Sequence, residues 1–241
     1  METAVPRPKM ILFDFGGTLM KSLHPFDGIK GEKALFRHIK DSRGHTPEEV
    51  QAMAEQLNAD LGRTFQYGPE PLMIEPHQYP FQRYLYEYFG LELDLTPFET
   101  EKLFWDEADP GEPVPQILEF LDFLAEQNIR TGVISNISFS ADALKDRLDT
   151  FLPNHRFEFI IASSDYLFRK PHPRIFEIAL RKAGLSPEEV WYCGDNVPYD
   201  VEGSHAAGMF PVWYTGVCGE GQQPPACEYL KVSDWREGLS L

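Results

Sequence analysis

The sequence predicts an α/β protein: a doubly wound parallel sheet, with a helical segment inserted after the first strand. Two observations support this fold class. Short, continuous apolar runs alternate with amphipathic stretches over most of the chain, whereas residues 21–108 interrupt the alternation with helical patterns only. Uninterrupted apolar runs are typical of parallel strands covered on both faces, and strands alternating with helices are typical of doubly wound sheets. A chain of 241 residues has room for such a domain and a smaller inserted one.

The first predicted strand is Lys9–Asp14, an apolar run that ends in a carboxylate and is followed by two glycines. Four similar runs predict later strands, at Arg130–Ser135, Phe157–Ala162, Val190–Asp195 and Phe210–Tyr214. The amphipathic stretches between them predict helices at Pro115–Gln127, Ala141–Leu148, Pro173–Ala183 and Tyr199–Ala207. In this architecture ligands bind at the carboxyl ends of the strands, so polar residues at those ends are the candidates for a functional site.

The inserted segment carries clear helix-start signals. Thr46-Pro47-Glu48-Glu49 is a capping box with proline at the first helical position, and Thr96-Pro97 starts a second predicted helix that runs to Asp106. Gln78–Phe89 is a third. The stretch Glu107–Pro115 is dense in proline and turn-forming residues, which indicates a linker back to the sheet. The predicted organisation is a core made of residues 1–20 and 109–241, and a helical domain made of residues 21–108.

Charge and composition exclude several classes of function. Acidic residues outnumber lysine and arginine by 38 to 22, and the resulting net charge of -16 repels nucleic acids and anionic membranes. The N-terminal residues lack the apolar stretch of a signal peptide, and no segment reaches the ~18 apolar residues of a membrane span. The cysteines Cys193, Cys218 and Cys227 have neither zinc-site spacing nor the density of a disulfide framework. We therefore expect a cytoplasmic protein that binds neither nucleic acid nor membrane.

Four groups of residues with catalytic potential fall at or just after predicted strand ends. They are Asp14 with Gly16, Gly17 and Thr18; Ser135 with Asn136; Lys170 before Pro171; and Gly194-Asp195 followed by Asp200. A carboxylate that closes an apolar strand is costly unless a metal or cation compensates its charge. Glycines allow the close backbone approach that a phosphate-holding turn needs, and hydroxyl and amide groups can donate to a phosphoryl oxygen. Together these groups indicate a phosphoryl-transfer site.

The order Asp-x-x-Gly-Thr, strand-Ser, Lys-Pro and Gly-Asp-x-x-x-x-Asp resembles the four-motif signature of the haloacid dehalogenase-like superfamily. The resemblance spans about Ile11 to Met209. Each motif alone occurs by chance in many proteins, but here all four come in order and each follows a predicted strand. The resemblance implies a Rossmann-like core and a small helical cap that closes over the site. It also implies a hydrolase, most often a phosphatase that acts on a small phosphorylated metabolite.

The resemblance further implies a role for each residue. Asp14 would attack phosphorus and form an aspartyl-phosphate, and Mg²⁺ would be held by Asp14, the backbone carbonyl of Gly16, and Asp195. Lys170 would offset the remaining negative charge and Ser135 would bind a phosphoryl oxygen. Asp200 would orient Lys170 or a metal-bound water without binding the metal itself. Contacts with the substrate would come from Gly17, Thr18 and Asn136.

One residue departs from the pattern of the superfamily's phosphatases. Their second residue after the nucleophile is usually an aspartate that protonates the leaving group and later activates water, and here that position is Gly16. General acid–base catalysis contributes roughly 10²–10⁴-fold, so alkyl phosphate esters should turn over poorly unless another group substitutes. His24, Lys21 or a residue of the cap are the candidates, and the sequence does not choose among them.

Three alternatives to a phosphatase remain open at this point. Relatives with alanine at the position of Gly16 cleave phosphorus–carbon bonds through a cap lysine, for which Lys30, Lys33 and Lys40 are the possible equivalents. Dehalogenases also lack the second aspartate, but they need no metal and usually lack the acid retained here as Asp195. The third alternative is a catalytically weak protein that uses the folded site for binding or regulation.

Overall fold

The computed structural model describes residues 7–61, 73–217 and 221–240, and among them six strands form one parallel sheet. The order across the sheet is β5-β4-β1-β6-β7-β8. The strands are β1 (Met10–Phe13), β4 (Arg130–Ser135), β5 (Phe157–Ala162), β6 (Val190–Gly194), β7 (Phe210–Tyr214) and β8 (Leu230–Val232). A second, two-stranded antiparallel sheet pairs β2 (Met20–Ser22) with β3 (Gly111–Pro113). The predicted α/β fold with a doubly wound parallel sheet is confirmed.

Helices follow or precede the strands on both faces of the large sheet. In chain order they are α5 (Ile117–Glu126), α6 (Ala141–Phe151), α7 (Ser163–Tyr166), α8 (Pro173–Ala183) and α9 (Glu202–Ala206). Short 3₁₀ turns lie at Pro187–Glu189 and Trp235–Ser240. Successive side chains of β1 lie on opposite faces of the sheet. Ile11 and Phe13 pack with α5 on one face, and Met10 and Leu12 pack with α8 on the other. The continuous apolar run of β1 is thus explained by burial on both sides.

Strand register brings the carboxyl ends of the three central strands to one level. Phe13 is paired with Val133 of β4 on one side and with Cys193 of β6 on the other, and Asp14 N–H donates to the carbonyl of Cys193 at 2.8 Å. The residues that follow these strands therefore converge on one edge of the sheet. This edge lies where the chain, after building outward through β4 and β5, crosses back to β6, and such a switch point is the usual ligand site of the fold.

The helical segment lies between β2 and β3 and contains four described helices. They are α1 (Gly28–Phe36), α2 (Pro47–Asp60), α3 (Gln78–Phe89) and α4 (Pro97–Ala108). The predicted capping box at Thr46 is present, and Thr96 forms a second one. Each threonine side chain accepts from the N–H of the glutamate three residues on, and each glutamate side chain accepts from the N–H of its threonine. Residues 62–72 of the predicted cap, and Cys218, lie outside the described residues. None of the described helices is long and apolar enough to cross a bilayer.

The structure differs from the sequence prediction in several elements. Helices α1 and α7, strand β8 and the β2–β3 ribbon were not predicted, since their few residues give no clear periodicity, and the predicted linker Glu107–Pro115 contains β3. The predicted helix Tyr199–Ala207 is split into a π turn at Val197–Val201 followed by α9. Asn196 caps this wide turn by accepting from the N–H of Tyr199 at 3.0 Å. Turns of this kind are frequent at functional sites, and this one carries Asp200.

Candidate active site

The loop after β1 presents Asp14 at the edge of the sheet. Gly17 has a φ of 76°, a conformation that glycine adopts without strain, and its N–H donates to the carbonyl of Met20 at 2.7 Å. Leu19 and Met20 both donate to the carbonyl of Phe15, which closes the loop into a tight turn. Thr18 is fully buried beneath it and does not line the adjacent cavity, so the predicted contact of its side chain with substrate does not agree with this geometry.

Lys170 lies at the centre of the site. Its ammonium nitrogen is 2.6 Å from Oδ1 of Asp14, 2.6 Å from Oδ1 of Asp200 and 2.8 Å from the hydroxyl of Tyr192. The lysine side chain is 2% exposed. A buried ammonium is stable only when it is paired and fully hydrogen bonded, and here each of its three protons has an acceptor.

The backbone of Lys170 is fixed by Asn136. The N–H of Lys170 donates to Oδ1 of Asn136 at 2.7 Å, and Nδ2 of Asn136 donates to the carbonyl of Lys170 at 2.9 Å. Both polar atoms of the Asn136 side chain are therefore engaged with the lysine backbone. The amide expected to contact substrate instead joins the end of β4 to the loop that carries Lys170.

Burial and charge shape the protonation of this cluster. Burial raises the pKa of Asp14 to about 6, and the nearby Lys170 ammonium opposes that rise. Burial would lower the pKa of Lys170, but the carboxylates of Asp14 and Asp200 outweigh it and raise that pKa above its usual value. The raised pKa keeps the side chain of Lys170 a cation at neutral pH.

Three carboxylates converge on this point. Oxygen atoms of Asp14, Asp195 and Asp200 lie within 4.8 Å of one another. Asp200 is already engaged, since Oδ1 binds Lys170 and Oδ2 accepts from the N–H of Asn196 at 3.0 Å. A β-carbon at residue 194 would lie 2.3 Å from the Asp200 side chain, so the glycine at this position is required for the aspartate to pack there. The carboxylates of Asp14 and Asp195 offer hard oxygen donors for a divalent cation, which fits the preference of Mg²⁺.

A cavity of about 480 Å³ opens in front of these groups. Asp14, Gly16, Gly17, Ser135, Asn136, Lys170, Asp195 and Asp200 all line it, so the structure brings together every predicted site residue except Thr18. Lys21, Ser22, Trp105, Asp109, Gly111 and Arg147 complete the wall from the β2–β3 ribbon, the end of α4 and α6. A β-carbon built on Gly16 meets no atom within 4 Å, so a larger side chain would fit at that position.

The structure also tests the candidates for proton transfer that the sequence left open. Nδ1 of His24 lies 2.8 Å from the carbonyl of Pro25, its Nε2 lies 3.3 Å from the ammonium of Lys30, and the ring does not line the cavity. Lys21 does line it but is paired with Glu112 at 3.0 Å. The geometry disfavours His24 as the acid and leaves Lys21 engaged in an ion pair.

The lysines considered for a Schiff base lie elsewhere. Lys33 and Lys40 form exposed ion pairs with Glu48 and Glu92, at 2.9 Å and 3.8 Å. Neither they nor Lys30 lines the cavity in front of Asp14. This arrangement gives no support to phosphorus–carbon bond cleavage through a cap lysine.

Three residues of the site, Tyr192, Arg147 and Arg169, carry no sequence signal that identifies them. Tyr192 lies within an apolar strand, where a buried tyrosine is usually core, yet its hydroxyl binds Lys170. Arg147 is 4% exposed, stacks over the ring of Trp105 at 4.2 Å and donates to the carbonyl of Asp109 at 2.7 Å. Arg169 forms a buried ion pair with Glu75, a residue far away in the sequence. Only the fold brings such residues together.

A second cavity, of about 500 Å³, adjoins the first. The two share Asn136, Ile137, Phe139 and Arg169 as lining residues. The remaining wall of the second cavity comes largely from the inserted helices and combines polar side chains with the rings of Phe26, Phe81 and Phe104. Glu32, which is 2% exposed, is a buried carboxyl on this wall.

Comparison with known proteins connects this geometry to one family. A family model described as hydrolase, haloacid dehalogenase-like hydrolase, matches residues 8–208. Among curated proteins, a phosphoserine phosphatase from Thermus thermophilus is 39% identical over 84 residues, which are 34% of this chain and 33% of that protein. A glyceraldehyde 3-phosphate phosphatase from Methanopyrus kandleri is 32% identical over 102 residues, 42% of each chain. The matches thus span well under half the length of these relatives.

Solved structures share the fold over nearly the whole chain. A HAD phosphatase from Thermococcus onnurineus superposes with a TM-score of 0.60 at 21% identity, covering 96% of both chains. A 2-haloacid dehalogenase from Pseudomonas syringae gives a TM-score of 0.65 at 21% identity, covering 97% of both. Because proteins with different chemistry match about equally well, the fold does not decide the reaction, and the residues of the site must.

Proposed function

Because the chain belongs to the haloacid dehalogenase-like hydrolase family, we propose that it is a Mg²⁺-dependent phosphatase of a small phosphorylated metabolite. The observation that carries the proposal is the ammonium of Lys170, 2.6 Å from both Asp14 and Asp200, beside a cavity that Asp195 also lines. A dianionic phosphate can approach a carboxylate nucleophile only where cations offset the repulsion. The curated relatives named as phosphatases support a phosphate ester as the substrate class.

Magnesium would be held by Asp14, Asp195 and the backbone carbonyl of Gly16. The bound ion would neutralise charge on the phosphoryl group and orient it towards the nucleophile. The carboxylate of Asp200 supports the site differently, since both of its oxygens are occupied by Lys170 and by the N–H of Asn196. Its role is to hold the lysine in place.

Each side chain of the site has a separate role in the proposed reaction. The carboxylate of Asp14 attacks phosphorus, and the phosphorus–oxygen ester bond breaks as the aspartyl-phosphate forms. Lys170 offsets negative charge beside the nucleophile, and the hydroxyl of Ser135 donates to a phosphoryl oxygen. Water attacks the aspartyl-phosphate, which releases phosphate and restores Asp14. Asn136 fixes the backbone of Lys170 throughout.

The inserted segment, residues 21–108, would act as a cap over this site. Its helices supply most of the second cavity, which shares four lining residues with the first. A volume of about 500 Å³ is within the range of small-molecule pockets and would hold the organic part of a phosphate ester.

A substrate screen with matched variants tests the proposal. Purified protein is assayed for phosphate release from p-nitrophenyl phosphate and a broad panel of phosphorylated metabolites, with Mg²⁺ and with EDTA. We expect Mg²⁺-dependent turnover that falls by at least about 10³-fold in Asp14→Asn, whereas the exposed Asp122→Asn variant keeps full activity. Mass spectrometry of acid-quenched protein should detect a phosphoryl group on Asp14. Equal rates in the wild type and Asp14→Asn would contradict the proposal.

A further inference from the structure

The proposed reaction needs a proton donor on the side of the phosphate that faces away from Asp14. In phosphoryl transfer the attacking and leaving oxygens lie roughly in line, so the leaving oxygen points across the cavity. Asp14 projects from the carboxyl edge of the sheet. Residues of the β2–β3 ribbon and the end of α4, including Lys21, Asp109 and Gly111, line the same cavity as Asp14.

Most titratable groups in the first cavity are excluded as this donor. Asp14, Asp195, Asp200 and Lys170 form the nucleophile and cation cluster, and Tyr199 lies among them in the turn between Asp195 and Asp200. The guanidinium groups of Arg147 and Arg169 do not release a proton in proteins. Lys21 is paired with Glu112 at 3.0 Å. Among the described residues that line this cavity, Asp109 is the carboxyl group that remains.

The backbone of Asp109 is held firmly. Helix α4 ends at Ala108, and the N–H of Asp109 donates to the carbonyl of Trp105 at 2.9 Å. Its carbonyl accepts from Nη2 of Arg147 at 2.7 Å. The residue therefore has a fixed position at the junction between the inserted helices and the core.

The charge of the Asp109 side chain acts on the buried guanidinium of Arg147, but hydrogen bonding does not explain the position of its Oδ1 atom. Oδ1 is buried and has no hydrogen-bond partner among the described residues, and the carboxylate that pairs with Arg147 is that of Asp106, at 3.6 Å. A buried acceptor without a partner costs about 1–3 kcal/mol. An acidic residue at the C-terminal end of a helix is also unfavourable, because the helix dipole is negative there. A carboxyl kept in such a position on the wall of an active-site cavity points to a role in the reaction.

We propose that Asp109 performs the proton transfers that Gly16 cannot, an inference that rests on the proposed phosphatase activity. As the bond between Asp14 and phosphorus forms and the phosphorus–oxygen ester bond breaks, the Asp109 carboxyl gives its proton to the leaving oxygen, and the product is an alcohol. The resulting Asp109 carboxylate takes a proton from the water that attacks the aspartyl-phosphate. Phosphate leaves, Asp14 is regenerated as a carboxylate, and Asp109 is again protonated.

Leaving-group dependence tests this role. Asp109→Asn is compared with the wild type on p-nitrophenyl phosphate, whose leaving group needs little protonation, and on the alkyl phosphate that the wild type hydrolyses fastest. We expect kcat on the alkyl ester to fall by about 10²–10⁴-fold and kcat on p-nitrophenyl phosphate to change by less than about threefold. Asp106→Asn is the matched control, because it removes the carboxylate paired with Arg147 but does not line the cavity. We expect Asp106→Asn to keep kcat on both substrates within about threefold of the wild-type values.

A rescue experiment makes the test specific. Since a β-carbon at residue 16 meets no atom within 4 Å, an aspartate can be placed there. Gly16→Asp in the Asp109→Asn background should raise kcat on the alkyl ester at least about tenfold above that of Asp109→Asn, because it supplies a carboxyl on the wall of the same cavity. Circular dichroism and thermal unfolding establish that each variant is folded.

Three outcomes would overturn the role of Asp109: an unchanged alkyl-ester rate in Asp109→Asn, an equal loss on both substrates, or a lost alkyl-ester rate that Gly16→Asp does not restore. Each of these requires an active wild-type enzyme. Absence of any phosphatase activity in the wild type would contradict the proposed function instead, so the two failures are distinguishable.

Discussion

The side-chain amide of Asn136 makes two hydrogen bonds with the backbone of Lys170, one as acceptor at 2.7 Å and one as donor at 2.9 Å. This pair connects the end of β4 to the loop before α8. The position of the lysine ammonium between Asp14 and Asp200 therefore depends on a residue that need not touch the substrate at all.

Replacing Asn136 by alanine should lower kcat by up to about 10²-fold with a small change in KM, because the Lys170 backbone loses both partners and its ammonium is displaced. Asn136→Asp keeps the acceptor but loses the donor, so its kcat should be intermediate. The exposed Asn154→Ala serves as control. A large rise in KM with unchanged kcat would assign Asn136 to substrate binding instead.

Asp195→Asn should weaken Mg²⁺ binding without unfolding the loop that carries it. The backbone carbonyl of Asp195 accepts from Nε1 of Trp213 at 3.1 Å and from Nε2 of Gln222 at 2.8 Å, so the loop is held independently of the carboxylate. Isothermal titration calorimetry with MgCl₂ should show an affinity at least about 10-fold lower than in the wild type, because a hard anionic ligand is lost. Asp122→Asn should bind like the wild type. Equal affinities in all three proteins would exclude Asp195 as a metal ligand.

The strands of the core and the capped helices of the insertion can be predicted from sequence because their signals are local. An apolar run such as Arg130–Ser135 matches β4 residue for residue, and the capping boxes at Thr46 and Thr96 depend only on neighbours three residues away. The β2–β3 ribbon cannot be predicted in this way, since it pairs Lys21 with Glu112 across the whole insertion.

The site is predictable to the extent that its residues stand at strand ends. Asp14, Ser135 and Asp195 converge because parallel strands present their carboxyl ends at one edge of the sheet. Tyr192 and Asp109 cannot be predicted as site residues in this way, because neither follows the end of a predicted strand. The first lies inside an apolar strand like any core aromatic, and the second lies in a stretch of turn-forming residues that only the tertiary structure brings to the wall of the active-site cavity.

Glu75 should be essential for attaching the insertion to the core. Glu75 and Arg169 form a buried ion pair, and the two segments also pair through the N–H of Glu75 with the carbonyl of Leu167 and the N–H of Arg169 with the carbonyl of Met73. Removing one member of a buried pair leaves an uncompensated charge, so Glu75→Gln should lower the free energy of unfolding by about 3–5 kcal/mol. Urea denaturation measures this loss.

The matched control for Glu75 is Glu87→Gln, which breaks the exposed pair between Arg83 and Glu87 and should cost no more than about 0.5 kcal/mol. The double variant Glu75→Gln, Arg169→Met should be less destabilised than the sum of its single variants, because neither charge is then left alone. Strict additivity would mean that the two side chains do not interact energetically.

Glu32 should make the stability of the protein depend on pH. It lies on α1, accepts a hydrogen bond of 2.8 Å from the hydroxyl of Tyr86 on α3, and burial raises its pKa from 4.5 to about 7. In the unfolded chain the carboxyl ionises near its usual value, so its contribution to stability is complete below about pH 4.5 and is lost as the pH rises through 7. Glu32→Gln keeps an acceptor for Tyr86 but cannot ionise. The free energy of unfolding of Glu32→Gln, relative to that of the wild type, should therefore rise by on the order of 3 kcal/mol between pH 5 and pH 8.

Urea unfolding at several pH values measures this difference between Glu32→Gln and the wild type, with the exposed Glu126→Gln as control. If the wild type and Glu32→Gln change in parallel with pH, Glu32 does not carry a raised pKa in the folded protein.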